Sequence, residues 1–200
     1  MPVHLGGSGG SGNGQDGLAL DGSINGLCLL EANDPGLPFV LSGELSGGAT
    51  DSLRITAGTV IKGESAGAIA TNGVLQILGT EESPVVMTSL HDDSVEGDTN
   101  ANGGSTSPAP GDWIGLFCYG YLGNPGILEA HHLSVYYAGA GSRAAGLYLS
   151  YPDHALLDGC EISHSLVSGL RSAFGSPVVT GCTFEGNLGN GILGSNSPVY

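Results

Sequence analysis

The sequence predicts an all-β fold: a right-handed, single-stranded parallel β-helix, a solenoid of about six coils with a long loop near residues 90–112. Three observations predict it. Glycine makes up 37 of the 200 residues while hydrophobic residues still reach 40%. That combination suits many tight turns between short buried strands and disfavours helix interiors. Short β-branched runs recur between glycine, proline and Asn-Gly punctuation. The second half repeats itself with a period of about 22 residues.

Taken in chain order, residues 1–17 include Gly6-Gly-Ser-Gly-Gly-Ser-Gly-Asn-Gly-Gln-Asp-Gly17 and read as a flexible Gly/Ser-rich segment. Residues 18–200 are expected to form the β-helix domain. Its first part, 18–45, reads as an irregular N-terminal cap, with apolar pieces at Leu27 to Leu30 and Leu37 to Leu41 broken by Pro35, Gly36 and Pro38. From Leu53 the texture becomes regular. Leu53 to Ile55, Thr59 to Ile61, Val74 to Leu78 and Val85 to Thr88 are short apolar runs, each bounded by turn residues. Such short runs fit strand or buried helix by periodicity alone; their length, flanking glycines and β-branching select strand.

The repeat is clearest between Leu157-Asp-Gly-Cys160-Glu-Ile162 and Val179-Thr-Gly-Cys182-Thr-Phe184. Gly169-Leu170 and Gly191-Ile192 keep the same spacing, and Ser176-Pro-Val178 returns as Ser197-Pro-Val199. One coil earlier, Leu128-Glu-Ala-His131-His-Leu133 fits the frame when Leu128 is set against Leu157, the extra residues falling in a longer loop around Gly139 to Ala145. A coil of this length cannot bury its inner side chains alone. Stacked coils align equivalent residues about 4.8 Å apart as parallel sheets. Leu128, Leu133, Leu157, Cys160, Ile162, Val179, Cys182 and Phe184 are therefore expected inside, with Leu147, Leu170 and Ile192 as a second inward column and glycines at the corners. A leucine-rich repeat lacks its consensus here, a helical array needs a longer period, and a β-sandwich would make the repeat a coincidence. Threonines are too irregularly spaced for an ice-binding array. Because Ser197 to Tyr200 opens a further coil, continuation of the chain beyond residue 200 is expected.

Nineteen acidic residues against four Lys and Arg give a net charge of −15. Lys62, Arg54, Arg143 and Arg171 are scattered in sequence, so neither nucleic acid nor an anionic membrane is an expected partner. No apolar run is long enough to insert in a bilayer, and no signal peptide is visible at the start. An acidic surface suits extracellular water and attracts divalent cations. The four cysteines, Cys28, Cys118, Cys160 and Cys182, contain no CxxC pair.

Ile55-Thr-Ala-Gly-Thr-Val-Ile-Lys62, Gly73-Val-Leu-Gln-Ile-Leu-Gly-Thr80, Pro84-Val-Val-Met-Thr-Ser89 and Gly111-Asp-Trp-Ile-Gly115 resemble coils of bacterial extracellular right-handed parallel β-helix proteins. The later Gly-Cys-x-Ile/Phe coils resemble the pectate-lyase-like β-helix repeat. The resemblance covers roughly residues 37–200 and implies the fold and an extracellular or cell-surface location. The superfamily holds polysaccharide lyases, hydrolases and non-catalytic surface proteins, so the resemblance does not choose an activity.

Four sets of residues are candidates for chemistry. In the 90–111 loop, Asp98-x-Asn100-x-Asn102-Gly103 fits the opening of a calcium loop. The EF-hand glutamate position is Ala109, so Asp92, Asp93, Glu96 or Asp112 would have to complete the Ca2+ ligand set; the other reading is a solvated, turn-rich insertion with no bound ion. His131, Cys160 and Cys182 are expected in one inward column, as free buried thiols, a strained disulfide or a soft-metal site. On the outside, His132 is expected beside Glu161, an acid–base pair or a plain surface contact. Tyr148 is expected beside Arg171, a cation–π pair or a sugar-stacking platform, and Tyr136, Tyr137 and Tyr151 extend a conceivable glycan face. Asp153, His154 and Asp158 sit near a turn without a serine nucleophile motif. The sequence thus points to a non-catalytic secreted or cell-surface module, a structural or adhesive scaffold with polysaccharide, surface glycan or Ca2+ as candidate ligands. The alternative is a fragment of a polysaccharide-degrading enzyme, for which bases are scarce and paired carboxylates are available.

Overall fold

The structure is a computed structural model that describes residues 3–121 and 126–196. The chain winds as a parallel β-solenoid. The first coil holds β1 (Val3–Leu5) and β2 (Leu18–Ile24), the second β3 (Leu27–Leu30) and β4 (Phe39–Gly47). The third holds β5 (Ser52–Thr56), β6 (Val60–Gly63) and β7 (Ala68–Thr71), and the fourth β8 (Val74–Leu78), β9 (Val85–Ser89) and β10 (Gly115–Tyr119). The fifth holds β11 (Gly126–His131), β12 (Leu133–Tyr136) and β13 (Ala145–Ser150), and the sixth β14 (Pro152–Asp158), β15 (Glu161–Ser163) and β16 (Ser168–Ala173). The seventh holds β17 (Val178–Thr180), β18 (Thr183–Glu185) and β19 (Ile192–Ser195). Among the described residues no segment is helical, and none forms a helix able to cross a membrane.

Strands β1, β3, β5, β8, β11, β14 and β17 pair in that order as sheet A. The others form one continuous sheet folded at β4 into two faces. Phe39 to Leu41 of β4 pair with β6 and lead into face B (β6, β9, β12, β15, β18). Glu44 to Gly47 pair with β7 and lead into face C (β7, β10, β13, β16, β19). Every pairing is parallel, as a coil that returns to the same face requires.

Each face contributes inward columns. Leu30, Ile55, Ile77, Ala130 and Leu157 stack on A; Phe39, Ile61, Met87, Val135 and Ile162 on B; Leu45, Ile69, Leu116, Leu147 and Leu170 on C. All are buried, and each aliphatic side chain contributes about 1.5–3 kcal/mol of transfer free energy. Val179, Cys182 and Phe184 pack against this core without being fully covered, and Ile192 is stacked on Leu170 as expected but is exposed rather than inside.

The structure corrects four expectations. The solenoid has seven to eight turns, not six, because segment 18–45 is not an irregular cap. β2 pairs with β4, β3 with β5, and Val3 to Leu5 already pair with β3. Pro35 and Pro38 fall in the turn between β3 and β4, outside the ladders. Second, the register of the fifth and sixth coils is two residues from the expected one. Ala130, not Leu128, lies against Leu157, and Leu128 lies against Ala155. Third, His131 points outward and pairs with Asp158; Leu133 holds the place below Cys160. The alternation breaks at His132, whose φ of 44° turns the chain from sheet A to face B.

Fourth, glycine does not monopolise the corners. Three stacked rows sit in the left-handed region: His132, Gly159 and Gly181; Tyr137, His164 and Gly186; Tyr151, Phe174 and Asn196. A non-glycine residue there costs about 1–2 kcal/mol. The rows recover it through coil-to-coil bonds, such as His164 N–H to Glu185 O at 3.0 Å and Phe174 N–H to Ser195 O at 3.1 Å. Ring stacking adds to this, with Tyr151 and Phe174 centroids 4.4 Å apart at 6°. Ser197 to Tyr200, where a further coil was expected, lie outside the described residues.

Candidate functional site

The loop from Leu90 to Gly111 leaves β9 and folds over the outside of face B. Lys62 on β6 is what lets it do so. The side chain points outward from the sheet, yet it is fully buried beneath the loop. Its Nζ donates to the carbonyls of Asp92 (3.0 Å) and Gly97 (2.7 Å). Burial holds the amine below its ordinary value, while Asp92, Asp93, Glu96 and Asp98 pull the other way. The loop is pinned elsewhere too. Gly36 N–H donates to the Glu96 carboxylate, Asp16 N–H donates to Thr99 O at 2.9 Å, and Gly111 and Asp112 N–H both donate to Tyr137 O. Trp113, fully buried at the loop's end, donates from Nε1 to Tyr136 O at 2.7 Å.

Between this loop and coils five and six runs a cleft of three adjoining depressions. The largest, about 430 Å³, is lined by His91, Asp92, Asp93, Ser94, Thr106 and Tyr137 among others. It shares Asp92, Ser94 and Tyr137 with a depression of about 240 Å³ that also takes in Tyr136, Glu161, Ser163 and His164. It shares His91 with one of about 300 Å³ against Glu64, Ser65 and Asp112. The Tyr136 and Tyr137 rings lie 6.4 Å apart, and Tyr137 packs against the His164 ring at 5.3 Å. Tyr136 donates its hydroxyl to Glu161 at 2.9 Å. Burial, then the Glu161 and Asp92 charges, push the Tyr136 phenol up, and burial does the same to Tyr137.

At one end, Asp112 Oδ2 accepts from the Ser89 hydroxyl at 2.6 Å and from Ala109 N–H, and lies 3.4 Å from His91 Nδ1. The serine donates to the carboxylate rather than to the imidazole, so it is not activated as a nucleophile. Asp93 Oδ1 is a buried oxygen without a hydrogen-bond partner.

The calcium-loop residues are used as turn formers. Asp98 accepts from Asn102 N–H (3.0 Å) and Gly103 N–H (2.7 Å), Asn100 accepts from Asn102 N–H, and Asn102 accepts from Ser105 N–H. Asp92 accepts from Thr88, and from the hydroxyl and N–H of Ser94. These lone pairs face backbone and hydroxyl donors rather than a common centre. Among the described residues no three His, Cys, Asp or Glu side chains gather to hold a metal.

The expected glycan set separates onto different parts of the solenoid. Glu161 is in the cleft. Ser134, not His132, is its neighbour on β12; the His132 ring sits at the corner against Gly159. Tyr148 does lie beside Arg171 on face C, with the guanidinium 5.4 Å from the ring centroid. That pair belongs to a second aromatic group, in which Arg143 covers Phe117 at 4.2 Å and reaches Glu44 at 3.8 Å. Tyr151 is at the corner after face C. His131 sits on sheet A, 3.5 Å from both Glu129 and Asp158. Cys160 and Cys182 are free thiols.

Lys62, His91, Tyr137 and His164 were not singled out as one site by sequence. A signal existed: with the corner placed at His132, Tyr136-Tyr137 falls against Ser163-His164. Comparison with protein-family models, with curated proteins and with solved structures finds no match.

Proposed function

We propose that the chain is a non-catalytic β-solenoid module of a secreted or cell-surface protein that binds neutral glycans in the cleft beside the 90–111 loop. One observation carries the reading. The cleft joins two adjacent tyrosine rings to a row of hydroxyl and carboxylate groups: Asp92, Ser94, Glu161 and Ser163. Sugar rings present an apolar face for such rings and hydroxyls for such acceptors, the mixture that ligand clefts use.

The walls favour uncharged sugars. Lys62 is spent on two loop carbonyls, and Arg143 and Arg171 are on face C. An acidic cleft without a free lysine or arginine repels uronates and offers no permanent cation to neutralise a carboxylate during elimination. The lyase reading is therefore the weaker one.

The test is calorimetric titration with neutral and uronic-acid oligosaccharides, together with a reducing-sugar assay. Binding of a neutral oligosaccharide, weakened about tenfold or more by Tyr137→Ala through the lost ring contact, without sugar release, is the expected result. Unchanged affinity in Tyr137→Ala, or turnover of a polymer, would overturn the proposal.

A further inference from the structure

We infer that Cys160 and Cys182 form a cross-coil dithiol site that small-molecule disulfides oxidise to an intramolecular disulfide. Cys182 is the attacking sulfur and Cys160 the resolving one. The inference is independent of the cleft.

The geometry comes from the repeat. Glu161 pairs with Thr183 and Ile162 with Phe184, so the cysteines just before β15 and β18 occupy equivalent places one coil apart. In-register parallel neighbours are about 4.8 Å apart, within the Cα range of about 4.4–6.8 Å that a disulfide spans. Parallel side chains that stand upright would strain the bond, but this pair does not stand upright. Cys182 Sγ leans back over the lower coil and accepts from Cys160 N–H at 3.3 Å. The contact between the two cysteines lowers the Cys182 thiol while raising, with burial, that of Cys160.

The other two cysteines are excluded by position. Cys28 stacks between Val3 and Leu53, and Cys118 between Thr71 and Leu149. Both are buried, and burial pushes the Cys118 thiol up to about 12, where it gives no thiolate near neutrality. Cys182 is partly exposed and Cys160 is buried directly beneath it.

The exchange balances without a further reactant. The Cys182 thiol loses its proton to water, and its thiolate attacks one sulfur of the small disulfide. A mixed disulfide forms and one thiolate leaves. Cys160 then loses its proton and attacks the Cys182 sulfur, expelling the second thiolate. Two electrons pass from the protein to the small disulfide, which departs as two thiols.

The experiment incubates the whole chain with oxidised glutathione, then alkylates and measures intact mass and peptide linkage. The expected product has lost two hydrogens, carries no adduct, and holds a Cys160–Cys182 link with Cys28 and Cys118 still alkylated. Cys160→Ser should stop at a glutathione adduct on Cys182, and Cys182→Ser should remain reduced. Four alkylatable thiols at excess oxidant, a stable adduct on the wild-type chain, or a link through Cys28 or Cys118 would each overturn the inference. Wild-type peptide mapping decides it even if a serine variant does not fold.

Discussion

Replacing Lys62 by methionine isolates what holds the 90–111 loop to the solenoid. Methionine keeps most of the apolar stem and removes the ammonium. The side chain makes two charge-assisted bonds to carbonyls, each worth about 1.5–3 kcal/mol, so about 3–6 kcal/mol of gross attraction is lost. Against this, burying an ammonium costs several kcal/mol, a cost visible in its depressed basicity. The two nearly cancel, and what remains is the penalty of leaving the Asp92 and Gly97 carbonyls short of a donor, about 2 kcal/mol. That corresponds to about a 30-fold rise in loop opening at 1.4 kcal/mol per decade. Hydrogen exchange read by mass spectrometry should show protection falling by about that factor in the loop alone, with sheet A unchanged. Equal or greater loop protection in the variant would mean the buried charge is only a cost, and the anchoring account would fail. The sign of the pH effect follows from the same depression. The folded state sheds the proton first, so stability rises as pH climbs from the folded value towards 10.5. The neutral amine still has two N–H groups for two carbonyls, so alkali should not release the loop.

Other perturbations test the stacking directly. A Cβ added at Gly63 would lie 2.7 Å from Cβ and Cγ of Trp113; Gly63→Ala should cost about 1–3 kcal/mol in urea unfolding and red-shift the emission of the sole tryptophan. A double-mutant cycle on Tyr151 and Phe174, stacked at 4.4 Å, should give a coupling of about 0.5–1.5 kcal/mol, and zero coupling would remove ring stacking as the compensation for that corner. The Gln76 hydrogen bond holds the Glu129 carboxyl below 4.5, so its contribution is full above that value and is lost as pH falls through the folded value. Glu129→Gln should flatten the acid limb of the stability–pH curve, and an unchanged limb would show that the bond is not felt in solution.

The fold was legible because stacked coils write their period into the sequence. Cys160 and Cys182, with the apolar residues around them, fixed the 22-residue frame, and the Tyr148–Arg171 neighbour followed from it directly. What was not legible came from corners and from contacts distant along the chain. His132, Tyr137 and His164 are not glycines, and positive φ is uncommon for non-glycine residues; reading them as ordinary strand residues moved the fifth coil by two positions. Two residues preserve strand parity, so most inward assignments survived; the error appeared only at His131 and His132, on either side of the true corner. The cleft needed contacts such as Lys62 to Gly97 and Gly36 to Glu96, which join a strand and an early turn to a loop with no pattern of its own.

The four cations explain why the molecule's charge limits its ligands. Arg54 donates to Gln76 on sheet A, and Lys62 anchors the loop. Arg143 covers Phe117 and reaches Glu44. Arg171 covers Tyr148 and donates to Arg143 O. Each holds one coil or loop against another, so the scattered positives of the sequence act as local fasteners. The acidic residues outnumber them by 19 to four and supply the carboxylates of the cleft. A polyanion approaching that cleft would meet repulsion with no cation to offset it, whereas a neutral sugar needs only the acceptors and rings already in place. Charge reversal in the cleft, such as Glu161→Lys, should therefore bring uronic-acid oligosaccharides closer to neutral ones in affinity. If the preference for neutral sugars stayed as large after that change, electrostatic exclusion would not be what sets it.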